Sequence, residues 1–222
     1  MDNKQERILF TVYCAMYTYL AIGDSLTTGR GSNRGGFVPI YRQMIAQQLH
    51  QPVHLRYLAK SGLTCKQIVR LTARHTSKKK IFHANIITVT AGGNDLLAAL
   101  WQLQRDQSAE MLINTSKQIN HCLHELVHHI CEIKKSCESP YMIRVFNIYN
   151  PIPGIPLLDR QLSQFNRSLY SLERNRHVEI VNIGSLFYGK HEEYLSSDRI
   201  HPNQSGYNMM AEAAIQTGLY PL

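Results

Sequence analysis

The sequence predicts an α/β fold in layers, a five-stranded parallel sheet with helices on both faces. Two observations carry that expectation. Short β-rich runs alternate along the chain with longer stretches of helical pattern, the order that builds βαβ units. Two of those runs, Ile86-Ile87-Thr88-Val89-Thr90 and Met142-Ile143-Arg144-Val145-Phe146, are almost continuously apolar or β-branched, as strands are when both sheet faces are covered.

The elements follow in order. The first strand is expected at Tyr17–Ile22, ended by Gly23-Asp24-Ser25. A helix over Val38–Leu49 leads to a second strand at Val53–Leu58 and the turn Lys60-Ser61-Gly62, where glycine permits a close backbone approach. A helix over Cys65–His75 precedes the third strand, Asn85–Thr90, which runs into Gly92-Gly93-Asn94-Asp95. A long helix over Ala109–Lys135 leads to the fourth strand at Tyr141–Asn147 and a proline-stiffened segment over 148–158. A helix over Arg160–Asn175, a strand over Val178–Ile183 and a helix over Asn203–Thr217, with Asn203 as a plausible N-cap, complete the chain. Sites on open parallel sheets lie beyond the carboxyl ends of the strands. The segments 23–25, 92–95 and 147–156 therefore belong on one rim.

With 222 residues, 44% of them hydrophobic and 18% charged, the chain reads as one ordinary globular domain. We place that domain at 16–222 and an extension at 1–15, with Met16 as an alternative start. The apolar run Ile8–Ile22 follows Lys4 and Arg7 like the core of a signal peptide. It is too short to span a bilayer, and no small-residue cleavage site separates it from the serine-bearing strand. No transmembrane segment is expected, and synthesis is expected in the cytoplasm, with deposition on a spore or membrane surface left open. The formal charge of +8 favours anionic partners, an anionic lipid surface among them, but also fits a solvated basic surface. No nucleic-acid signature accompanies it. Five cysteines without paired C-x-x-C spacing predict reduced thiols rather than a disulfide framework.

Four distant pieces then make one chemistry. Ser25 lies at a strand-to-loop corner, suited to attack a carbonyl. His201 would remove its proton, and Asp198, three residues upstream, would accept the other imidazole N–H and fix the tautomer. The Ser25 N–H, the Gly62 N–H and the Asn94 side-chain amide would face the developing oxyanion, where losing one donor typically costs on the order of 10²–10³ in rate. Asp24 and Asp95 are expected to brace loops rather than react.

These pieces, Gly-Asp-Ser-Leu at 23–26, a glycine after the second strand, Gly-Gly-Asn-Asp at 92–95 and Asp-Arg-Ile-His at 198–201, resemble the GDSL esterases and lipases, also called SGNH hydrolases. The resemblance spans residues 17 to about 216. It implies a three-layer α/β/α sandwich similar to flavodoxin, the roles just named for Ser25, Gly62, Asn94, Asp198 and His201, and catalysis without metal or cofactor. The segments Thr28-Gly29-Arg30-Gly31 and Gly36-Phe37-Val38-Pro39 look similar to a bacterial subgroup that includes lipases of spore-forming bacteria.

The implied substrate is a carboxylic ester of short to medium acyl length, or a phospholipid. Phe37, Pro153 and Ile155 are expected to bind it, with Val38, Leu96 and Trp101 as further lining. An acyltransferase or carbohydrate deacetylase could use the same site. Two other classes compete: a non-catalytic binding module, and a zinc peptidase built on His124-Glu125-Leu126-Val127-His128, which reads H-E-x-x-H. The second lacks a recognisable third ligand, and an exposed or partly packed histidine-rich helix accounts for the same pattern.

Overall fold

A computed structural model describes residues 16–106 and 109–222; the expected extension at 1–15 lies outside the described residues. Among the described residues there are five strands: β1 (Tyr17–Gly23), β2 (Val53–Ala59), β3 (Ile86–Val89), β4 (Met142–Phe146) and β5 (Val178–Val181). They form one sheet in the order β2-β1-β3-β4-β5, with every pairing parallel. The register sets Ile22 beside both Leu58 and Val89, and Val89 beside Val145, so the carboxyl ends finish nearly level. The chain steps from β1 outward to β2, then returns past β1 to β3. This reversal of winding opens a crevice between β1 and β3, where ligands settle on such sheets.

Strand side chains alternate between two cores. Leu20, Ile22, Ile87, Val89, Ile143, Val145 and Val178 face one side. That side is covered by α3 (Cys65–Thr72), α4 (His75–Phe82), α5 (Gly93–Asp106), α6 (Ala109–Lys134) and α7 (Pro156–Leu169). Tyr19, Ala21, Ile86, Met142, Phe146 and Val181 face the other, under α2 (Phe37–Leu49), the short helix α8 (Ile183–Phe187) and α10 (Gln204–Gln216). Two further single-turn helices, α1 (Ser25–Thr28) and α9 (His191–Tyr194), lie near the rim.

The helices differ from expectation where local chemistry intervenes. The helix expected over 65–75 ends at Thr72, and a second helix that was not expected, α4, starts at His75. Thr64 caps the first reciprocally with Gln67, accepting from its N–H at 3.4 Å and donating its own N–H to the Gln67 Oε1 at 2.9 Å. The helix expected from Arg160 starts at Pro156, a favoured first position, and tightens into a 3₁₀ turn over Tyr170–Arg174. Helix α5 was not expected, because its opening Gly92-Gly93 reads as loop.

The expectation of reduced thiols is corrected. Cys65, at the start of α3, and Cys122, midway along α6, form a disulfide closing a separation of 57 residues. Packing α3 and α6 on one sheet face brings the two sulfurs together, a proximity that sequence spacing does not carry. Cys131 and Cys137 remain free.

Two buried cations tie helix ends to the frame. The Lys134 ammonium donates to the carbonyls of Phe82 and Ala84, both at 2.7 Å, and so satisfies backbone at the end of α4. The Arg144 guanidinium on β4 donates to the Thr217 hydroxyl at 2.6 Å and to the Gly218 carbonyl at 2.8 Å, just past α10.

Candidate active site

The site is assembled from the ends of β1 and β3 and from the loop before α10. Asp24 caps α1: its Oδ1 accepts from the Leu26 N–H at 3.1 Å and from the Thr90 hydroxyl at 2.8 Å. The Thr90 hydroxyl also meets that of Thr27 at 2.8 Å. This buried network holds the corner after β1 and leaves Ser25 at the first helical position, where its N–H has no intrahelical acceptor. Burial pushes the Asp24 carboxyl up, against the Thr90 and Leu26 hydrogen bonds and the charge of His201.

His201 comes from the loop between α9 and α10. There Asp198 folds the backbone around its own carboxylate, Oδ1 accepting from the Ile200 N–H, the His201 N–H and the Ser196 hydroxyl, each at 2.9 Å. The other oxygen, Oδ2, lies 2.7 Å from the His201 Nδ1. Burial pushes the Asp198 carboxyl up, but the hydrogen bonds from the His201 backbone and imidazole, the Ile200 N–H and the Ser196 hydroxyl outweigh it and hold it well below the usual carboxylate range. Nε2 of the same ring sits 3.0 Å from the Ser25 Oγ. With Nδ1 donating to an ionised Asp198, Nε2 is left to accept from the serine hydroxyl.

Other residues hold this loop against the corner. The Tyr149 hydroxyl donates to the Ile200 carbonyl at 2.7 Å, and its ring stacks on Phe187. Gly31 has a φ of +93°, and a Cβ there would stand 2.5 Å from the Pro202 carbonyl oxygen and 3.0 Å from the His201 Cβ. Only glycine lets the chain after α1 pass so close to the imidazole.

The loop after β2 is tied to the same corner. Lys60 N–H donates to the Gly23 carbonyl at 3.2 Å, the Ser61 and Thr28 hydroxyls meet at 2.7 Å, and one Asn94 side-chain N–H donates to the Leu63 carbonyl at 2.9 Å. An amide carries two such hydrogens, and Asn94 lines the cleft that holds Ser25 and His201. Asp95 Oδ2 accepts the Cys65 N–H at 3.0 Å, bracing the start of α3. Gly62 differs from Asn94. It is exposed, its φ of +83° accounts for the glycine, a Cβ there would meet nothing within 4 Å, and it is not among the residues lining the cleft.

The cleft beside Ser25 measures about 530 Å³ counting its open mouth. Its apolar walls are Leu96, Leu97 and Leu100 of α5, Leu158 and Leu162 of α7, and Ile148. The three residues expected to bind substrate lie elsewhere. Phe37 is wholly buried on the opposite side of the sheet, its ring 4.6 Å from that of Phe146. Pro153 lines a separate surface cleft with His191 and Arg199. Ile155 is spent at the N-cap of α7, packed on the core. Val38 is core and Trp101 is 55% exposed; of the further lining expected, Leu96 alone faces the cleft. Leu96 and Leu97, four and three residues before Leu100 and so one helical turn from it, were the signal available in the sequence.

The histidine-rich stretch lies on α6, which turns Leu123, Leu126, Val127 and Ile130 inward. His124 Nε2 meets the Ser171 hydroxyl at 3.2 Å, and no group of three His, Cys, Asp or Glu side chains suited to a metal ion gathers among the described residues.

A parallel sheet with a serine, an imidazole and a carboxylate in hydrogen-bonded sequence at its winding reversal has the design of a serine-type hydrolase built on a three-layer α/β fold. The model of the GDSL-like lipase/acylhydrolase family matches residues 21–209, and the chain belongs to that family, whose members act on carboxylic esters. It is 35% identical over 196 residues to the spore germination lipase LipC of Bacillus licheniformis, covering 87% of this chain and 92% of that protein. The crystal structure of the lipase Lip_vut3 from a goat rumen metagenome superposes with a TM-score of 0.88 at 33% identity, covering 92% of this chain and 98% of that one. A Clostridium thermocellum family 3 carbohydrate esterase shares the fold, with a TM-score of 0.61 at 18% identity over 90% of this chain and 94% of that one.

Proposed function

We propose that the chain hydrolyses carboxylic esters of short to medium acyl length through an acyl-enzyme on Ser25. One observation carries this: the Ser25 Oγ, 3.0 Å from His201 Nε2, opens on a cleft whose walls are leucine and isoleucine. Ser25 Oγ attacks the ester carbonyl carbon while Nε2 takes its proton. The imidazolium, held by Asp198 through Nδ1, returns that proton to the leaving alkoxide. Water then repeats the sequence on the acyl-serine, releasing the acid and restoring the hydroxyl. The Ser25 N–H and the free N–H of Asn94 stabilise the tetrahedral oxyanion; Gly62 N–H joins them once the loop over 60–64 closes on bound substrate. Residues 16–222 suffice for this chemistry. The similarity to a spore germination lipase supports placing the work at a lipid-bearing surface, on a spore or a membrane.

Chromogenic esters of increasing acyl length test the proposal, together with Ser25→Ala. Each methylene entering the apolar cleft should raise kcat/KM about fourfold until the cleft is filled, and Ser25→Ala should lower kcat by at least about 10³-fold. A rate that is highest for acetyl and falls with each added carbon would transfer the site to deacetylation. Transfer of the acyl group to an added alcohol in preference to water would make it an acyltransferase.

A further inference from the structure

The net charge of the chain has a single source. Residues 25–94 contain eleven Lys and Arg and no Asp or Glu. The remainder of the chain carries thirteen Lys and Arg against sixteen Asp and Glu. The acid-free stretch contains α2, β2, α3 and α4 and ends at Asn94 in the candidate site. Lys60, Lys66, Arg70, Arg74, Lys78 and Lys79 are all exposed, and none of them forms an ion pair among the described residues.

Part of this charge rims a groove with an apolar floor. Lys60, Arg70 and Arg74 stand beside Tyr57, Leu63 and Leu71, with Tyr57 42% exposed. A basic edge strand resists pairing with other chains, which accounts for Arg56 on β2. It does not account for α3 and α4, which are not strands. The groove also adjoins the catalytic cleft. Its loop over Lys60–Leu63 is bonded to Thr28 and Asn94.

We infer that this acid-free face docks the protein on an anionic lipid surface, with phosphate-bearing headgroups against Lys60, Arg70 and Arg74 and the apolar floor meeting the glycerol and upper acyl region. The inference deepens the surface-acting function proposed above but stands on charge distribution, not on Ser25. Lipid fits better than a nucleic acid or an acidic polysaccharide, because the groove joins positive charge to exposed aromatic and aliphatic surface beside an ester-cleaving cleft. Basic residues close to an anionic leaflet each add to binding, and salt screens the attraction.

The test uses the full chain carrying Ser25→Ala, so that the lipid stays intact. Its sedimentation is measured with vesicles of phosphatidylcholine alone and of phosphatidylcholine mixed with phosphatidylglycerol. Binding is expected only to the mixed vesicles, and it should fall with added salt. Arg70→Glu with Arg74→Glu should weaken it at least about tenfold. Arg174→Glu with Arg176→Glu, an equal charge change at exposed residues beside β5, should leave it within about twofold. In the active background, both pairs should hydrolyse a soluble short-chain ester at the wild-type rate, which also reports that they fold; Arg70→Gln with Arg74→Gln is the milder companion. Equal loss from both charge-reversing pairs, indifference to phosphatidylglycerol, or tighter binding to duplex DNA or heparin than to vesicles would overturn the inference. Soluble-ester hydrolysis without vesicle binding removes the docking face and leaves the hydrolase standing. Vesicle binding without ester hydrolysis does the reverse.

Discussion

Asp24 and Asp198 are carboxylates on opposite sides of one hydrogen-bonded corner, and their surroundings push them in opposite directions. Asp24 is 2% exposed and raised by burial; it holds the turn that presents Ser25. Asp198 stands at the exposed side, collects four hydrogen bonds, and is depressed by them against a partial desolvation. A carboxylate with a depressed value in the folded state contributes stability that is present above its unfolded pKa of about 3.9 and is lost as pH falls through the lower folded value. The wild type should therefore melt above Asp198→Asn at about pH 5, and that gap should close as pH falls below about 4 and the carboxylate is protonated. The same variant should lose about 10³–10⁴ in kcat at neutral pH, since an amide neither fixes the tautomer nor balances the imidazolium. A melting gap that stays open as pH falls from about 4 toward about 2 would contradict the assignment. Asp198 and His201 were legible in the sequence because a three-residue spacing lets one tight loop hold both. The lining of the cleft, apart from Leu96, was not. Phe37 follows Gly36 in a plausible rim segment, but its side chain turns toward α2's own core, a direction set by tertiary packing.

At the level of elements, the strands were the most legible feature, because a strand covered on both faces must be apolar at successive positions. Helix ends depended on caps, and α5 was hidden behind its two glycines even though it supplies three leucines to the cleft. The Cys65–Cys122 link was invisible for a related reason: it joins helices brought together only when the sheet forms. It sits three residues after Gly62 and one helix away from the catalytic rim. Closing a separation of 57 residues restricts the unfolded chain by about 4 kcal/mol in the chain-entropy view. Cys122→Ala, or reduction of the wild type, should lower unfolding free energy by about 2–4 kcal/mol in denaturant titration, and reduction of the denatured wild type should expose two additional thiols. Unchanged stability with no additional thiols would mean that the two sulfurs are not joined.

Across the whole molecule, function follows from where the winding reverses. β1 delivers Ser25 and β3 delivers Asn94 to one crevice, and the strand registers keep those ends level. The C-terminal loop closes over them with His201, 176 residues away in sequence. That layout could be anticipated from the order of motifs, since each follows an expected strand and parallel strands end on one rim. The uneven charge could be counted along the chain, but the gathering of Lys60, Arg70 and Arg74 at one groove could not, because it depends on how β2 and α3 pack. In the proposed chemistry one serine, activated by His201, carries the covalent step. Its most direct test is to inactivate the wild type with an alkyl phosphonate ester and map the adduct by peptide mass spectrometry. One phosphonyl group is expected, on Ser25, appearing in proportion to the activity lost and strongly slowed in His201→Ala. Full inactivation with the adduct on another residue, or labelling of Ser25 at an unchanged rate without the imidazole, would contradict it.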